Sequence, residues 1–134
     1  MGRKPPDWAE PDAADVAAVR RTVEDYFLGW FDGDSERMRR ALHPRLVKRS
    51  YRSGDGQPAA LSPIVTAQQM IGATTQGEGR RSDDREIDVV VDDIHDSIAT
   101  ARVSSVTFRE YVLLVRTSDG WRIADTLWTP TRRG

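Results

Sequence analysis

Tyr26, His43 and Asp125 are the residues that type and pattern best suit to moving a proton. Tyr26 falls on the apolar face of a helical pattern, and a buried phenol must find a hydrogen-bond partner. Either the hydroxyl is tied to a backbone carbonyl of the core, or it donates into a pocket where negative charge develops. His43 stands before Pro44 at the end of a second helical pattern. An imidazole there either caps the negative end of the helix dipole or, aimed at a pocket mouth, carries protons near neutral pH. Asp125 alternates with Trp121, Ile123 and Leu127, which predicts a buried carboxylate on an apolar strand face. Such a group needs a cation, with Arg49, Arg102 and Arg122 as candidates, or must keep its proton; either outcome perturbs its pKa and fits it for acid–base work.

Other residues could hold a ligand. Arg49 and Tyr51 share one face of a strand pattern, and Glu110 stands near a hairpin rim. Turned inward, they give a pocket a cation able to steady a carboxylate or enolate; turned outward, they are surface residues. Trp30 and Trp128 are either core or stacking walls. The run Asp92-Asp93-Ile94-His95-Asp96 has residue types that suit a divalent ion, but it falls where a hairpin turn is needed, and alternation sends neighbours to opposite faces. No metal site is assigned to it.

Composition narrows the classes. The 134 residues suffice for one domain with its own core. Twenty basic and 21 acidic residues, mixed along the chain, give a net charge of -1 and argue against nucleic acid as partner. The chain has no cysteine, which removes disulfides, thiol catalysis and thiolate metal sites. No apolar run approaches the ~20 residues of a membrane span, and the polar, proline-containing start has no apolar signal core, so a cytoplasmic location is expected.

The positioning elements follow from periodicity. Residues 1–11 read as a flexible arm in which Trp8 alone could pin to the body, residues 12–130 as the domain, and 131–134 as a tail. Val16, Val19, Val23, Tyr26, Phe27 and Trp30 form one face of a helix from Asp12 to about Asp32, ended by Gly33. Asp34 or Ser35 caps a second helix, which Pro44 stops. Residues 45–52 read as an edge strand. Ser62-Pro63 reads as the start of a third helix with Ile64, Gln68, Ile71 and Thr75 on its inner face. After residue 86 come four strands, with turns at Asp92–Ser97 and Ser118–Gly120, expected to pair antiparallel. Helices followed by a meander predict an α+β fold: a cone-shaped roll, three helices on a strongly curved sheet, with an internal pocket.

Tyr26-Phe-Leu-Gly-Trp-Phe-Asp-Gly-Asp34, Ala41-Leu-His-Pro44 and Asp119-Gly-Trp-Arg-Ile123 with Leu127-Trp128 carry a resemblance over about residues 15–130. The chain resembles the nuclear transport factor 2-like superfamily, which includes SnoaL-like cyclases and ketosteroid isomerases, and within it the subgroup labelled "putative lumazine-binding". The resemblance implies the same roll and a cofactor-independent pocket. It also implies that Tyr26 stands where the isomerases keep their oxyanion donor. Their general base and second donor have no counterpart, since Arg49-Ser50 and Tyr111-Val112 occupy those places.

The expected function is therefore a small-molecule pocket protein, of the cyclase, dehydratase or isomerase type, with no cofactor. Tyr26 would be oxyanion donor, His43 proton shuttle and Asp125 general acid or base. A non-catalytic ligand-binding module and a protein-interaction domain are the alternatives. Tyr111 to Val115, and Trp121, Ile123 and Leu127 with Ala124 and Trp128 on the final strand, are apolar on both faces, which predicts a homodimer through the outer face of residues 111–128, unless the arm covers it.

Overall fold

A computed structural model describes residues 10–131. The expected arm through residue 9, with Trp8, and the tail from residue 132 lie outside the described residues.

Helix α1 spans Ala13–Asp32. The Asp12 side chain accepts from the Ala14 amide at its start, and Gly33, at φ 68°, ends it in the left-handed conformation that glycine adopts without strain. Val19, Val23, Tyr26 and Phe27 form its buried stripe. Helix α2, Ser35–Ala41, is capped by Asp34 and buries Met38 and Ala41. Strand β1, Leu42–Arg52, begins at once; Pro44 falls inside a register shift between Leu42 and Val47, where a missing amide disturbs no regular pairing.

Helix α3 is Ala67–Thr75, four residues later than Ser62-Pro63 suggests. Ser62 serves β1 instead: its Oγ accepts from the Ser50 amide at 2.9 Å. Val65 bridges Lys48, which keeps this stretch extended. A reciprocal capping box between Thr66 and Gln69 starts the helix. Its buried face is accordingly Ala67, Met70 and Thr74, while Ile64 is exposed.

The sheet has the order β2-β1-β6-β5-β4-β3, with β2 over Ala60–Leu61, β3 over Asp88–His95, β4 over Ile98–Ser104, β5 over Phe108–Thr117 and β6 over Gly120–Pro130. The last four strands form the expected antiparallel meander, and β1 joins it parallel to β6. β1 is thus not the edge; two-residue β2 shields part of it. The sheet is curved and unclosed, and the three helices lie on its inner face: an α+β cone.

Two bulges decide which side chains face the helices. In β3 the register shifts between Val91 and Asp93, so the strand continues to His95 and the turn shrinks to Asp96-Ser97, with Asp96 at φ 54°. In β6 the shift leaves Ala124 unpaired: Ile123 faces Leu114, but Asp125 faces Leu113. One extra residue exchanges the faces of everything beyond it. Trp121 and Ile123 point inward before the bulge, and Thr126 and Trp128 after it. Asp125 and Leu127 turn outward.

A 3-10 turn over Glu78–Arg81 packs on the end of α1. A Cβ on Gly79 would lie 2.1 Å from the carbonyl oxygen of Trp30 and 2.6 Å from Trp30 Cδ1. Gly79→Ala should therefore displace this turn and destabilise the domain by about 1–3 kcal/mol. Urea unfolding followed by Trp fluorescence checks it; an unchanged midpoint would show that the contact is soft.

Candidate functional site

Glu110, on β5, is buried, with 3% exposure. An ionised carboxylate there requires partners. It has two, from two other elements. The Tyr26 hydroxyl, from α1, donates to Glu110 Oε2 at 2.9 Å, and Lys48 Nζ, from β1, donates to the same oxygen at 2.9 Å. Lys48 also donates to the Tyr26 hydroxyl oxygen, which closes the triangle. The phenol thus accepts from a cation and donates to an anion. Burial raises its pKa well above the ordinary 10.0, and the Glu110 charge and hydrogen bond add to the rise. The Thr126 hydroxyl pulls the other way, without the geometry of a hydrogen bond: its Oγ1 is buried and unpartnered among the described residues. Tyr26 is therefore a neutral donor at neutral pH.

Both bonds to Glu110 fall on Oε2. Oε1 has no hydrogen bond among the described residues, and Glu110 also lines a cavity of about 230 Å³. Phe27, Trp30, Phe31, Phe108 and Trp128 supply the walls, and Asp84 closes one side. Phe27 and Phe108 stack at 5.5 Å with 11° between planes, which makes a rigid floor. The volume lies below the ~300–1,000 Å³ usual for ligand pockets, so a guest must be small.

The expected residues divide among three places. Tyr26, Trp30, Glu110 and Trp128 meet at this cavity, Tyr26 through Glu110. His43 is elsewhere. It lines an open cleft of about 720 Å³ with Arg39, Gln68, Ile71, Asp119 and Arg122, and its Nδ1 accepts from the Arg45 amide at 3.0 Å. That bond leaves Nε2 to carry the proton. Asp125 is a correction: it is exposed on the outer face, beside a groove with Asp93 and His95. The bulge at Ala124 is the reason. None of its expected partners reaches it among the described residues: Arg102 pairs with Asp92 at 3.0 Å, and Arg122 donates to the Trp121 carbonyl. Arg49 and Tyr51 are corrected likewise. Arg49 stands opposite Leu127 on the outer face, and Tyr51 is half exposed.

Lys48 is the residue that pattern reading missed. Leu46 and Ser50 are buried, so the inner phase of β1 is Leu46-Lys48-Ser50 rather than Arg49-Tyr51. The available signal was Leu46, together with the need of any buried Glu110 for a cation.

The α+β cone, with three helices on a curved, unclosed sheet, has the nuclear transport factor 2-like fold. The chain belongs to the family described as "Putative lumazine-binding", whose model matches residues 14–129. No curated protein matches it. Among solved structures it is similar to an NTF2-like protein of unknown function from Silicibacter pomeroyi, at 14% identity and TM-score 0.66 over 91% of this chain and 100% of the other. A second such protein, from Methylobacillus flagellatus, shows 17% identity and TM-score 0.66 over 92% and 97%. A ketosteroid isomerase-like protein from Erwinia carotovora atroseptica shows 12% identity and TM-score 0.54 over 91% and 100%. At these identities the likeness is one of fold.

The raised Tyr26 pKa has a stability consequence. The unfolded chain releases the phenolic proton near pH ~10 while the folded chain holds it. The stabilisation is complete below that pH and is lost as pH rises toward the folded value, with a slope of about 1.4 kcal/mol per pH unit. Urea unfolding from pH ~9 to ~11.5 should show this loss in the wild type and a shallower one in Tyr26→Phe. Equal slopes would mean that Tyr26 ionises in the folded protein.

Proposed function

We propose that the protein binds a small organic molecule in the aromatic cavity and exchanges a proton with it through Glu110, as a cofactor-independent enzyme of the isomerase, cyclase or dehydratase type. The observation that carries this reading is the arrangement of Glu110. One oxygen is held by Tyr26 and Lys48, the other has no hydrogen bond among the described residues, and the residue lines the cavity. A general base needs reach and a fixed orientation, and this geometry supplies both. Tyr26 and Lys48 are then positioning residues that hold the carboxylate, while Trp30 and Trp128 hold the guest. His43 and Asp125 have no part in this cluster. The family's description as lumazine-binding and the isomerase-like label of one structural neighbour agree with a small ring-bearing ligand.

The tryptophans on the wall make fluorescence a direct reporter. A panel of small ring compounds, with thermal shift as a second signal, should yield ligands. For those with an acidic C–H, NMR in deuterated water should show its exchange for deuterium. Glu110→Gln should slow that exchange about 100-fold when measured at saturating ligand. Exchange that survives the substitution would leave the non-catalytic binding module as the better description. A panel without any ligand would remove both readings.

We also propose a homodimer through the outer face of the sheet. Tyr111, Leu113, Leu127 and Ile98 are each about half exposed there, at 52%, 49%, 43% and 57%. Arg102, Tyr111, Leu127 and Arg49 form one row across β4, β5, β6 and β1; Asp93, Thr100, Leu113, Asp125 and Val47 form the next. A second copy turned by a two-fold axis would set basic row against acidic row around the apolar centre. Sedimentation at micromolar concentration should give a dimeric mass, and Leu113→Arg a monomeric one. A monomeric wild type would overturn the proposal.

A further inference from the structure

The cavity that the proposed function rests on has a sign. Its lining includes Ser82 and Thr107 hydroxyls and two ionisable side chains, and both of those are acids: Glu110 and Asp84. The remaining walls are aromatic, and ring faces present negative potential to whatever lies over them. The chain's own cations already use these rings from outside the lining. Arg52 lies 5.1 Å and Lys48 5.8 Å from the Trp128 ring centre, and Arg85 lies 5.9 Å from that of Phe31.

Those cations do not reverse the sign of the cavity. Lys48 pairs with Oε2 of Glu110 at 2.9 Å and is not among the residues that line the cavity. Arg85 pairs with Asp32 at 3.2 Å and also donates to the Arg80 carbonyl. Arg52 is exposed on β1 and is not among the residues that line the cavity. Asp84 has no ion pair among the described residues; its Oδ1 accepts the Glu86 amide at 3.0 Å. A guest therefore meets the Glu110 and Asp84 side chains and aromatic rings. An anionic guest would lose its water and find no cation on the wall, whereas a cationic one would exchange hydration for carboxylates and ring faces.

We propose that this cavity binds a small ring-bearing organic cation, a protonated or quaternary nitrogen on a group no larger than one or two rings. Glu110 is its counter-ion and Asp84 guides its entry. For a protonated amine, Glu110 Oε1 is also the acceptor of the N–H proton. The inference depends on the aromatic cavity being the ligand site, and it adds the charge of the ligand.

Three matched probes separate the terms: benzyltrimethylammonium, its neutral carbon isostere neopentylbenzene, and the anion phenylacetate. Each is titrated against the wild type by Trp fluorescence, with ligand-observed NMR as a second measurement. The cation should bind at least about tenfold more tightly than the neutral isostere, and phenylacetate more weakly than both. Asp84→Asn, at the rim, should weaken the cation several-fold and leave neopentylbenzene unchanged. Glu110→Gln should remove most of the remaining preference; if it fails to fold, Asp84→Asn and the three-probe ranking still decide. Neutral binding as tight as that of the cation, or tighter binding of phenylacetate, overturns the charge inference and leaves the pocket reading intact. So does failure of the cation to bind while other ring compounds do. Failure of every ring compound would instead remove the pocket reading itself.

Discussion

The buried carboxylate of Glu110 is the constraint around which the domain is arranged. Left alone at that depth it would cost several kcal/mol. Its partners come from α1 and β1, so the cost is met only when helix, first strand and meander reach their final positions together. The Lys48–Glu110 pair links β1 to β5 across β6, and Tyr26 links both to the helix layer. Apolar packing would tolerate small slides of these elements. Two bonds to one oxygen tolerate few, which makes the cluster a specifier of register as well as a chemical group.

The bulges complete what the cluster begins. Ala124 ends the alternation set by Trp121 and Ile123 and turns Thr126 and Trp128 toward the helices. Without that exchange, Leu127 would fill the space beside Glu110 and Asp125 would compete with it for Lys48. With it, the inner face receives an aromatic wall and a hydroxyl, and the acid goes outside. One unpaired residue thus separates the two faces of the sheet: a cavity within, and a mixed apolar and charged surface without.

The chemistry of the cluster differs from that of an oxyanion hole. A tyrosine that donates to an acceptor of its own chain is not free to donate to a substrate oxygen, and among the described residues both ionisable side chains of the cavity lining are acids. Here the cone carries a carboxylate beside a ring-lined cavity. Fold membership does not fix what such a cavity does; its side chains do.

Much of the architecture was legible in the residues alone. The 3.6-residue stripe from Val16 to Trp30, the caps Asp12, Asp34 and Gly33, and the turn residues around Gly120 are local signals, each with a local cause. They determine the helices, the meander and the α+β class. Tyr26, Glu110, Trp30 and Trp128 could be picked out because their types stand out on those patterns. What local pattern could not decide was phase. Alternation along β6 points to Asp125 as buried, and only pairing with Leu113 and Leu114 introduces the bulge that reverses it. In β1, Lys48 and Arg49 are both cations in mixed surroundings, and only contact with Glu110, 62 residues away, selects Lys48. Helix and turn preferences act within a few residues, so the sequence by itself determined them. The facing of a strand residue depends on which partner strand it meets and in what register, and that was decided by the tertiary structure alone.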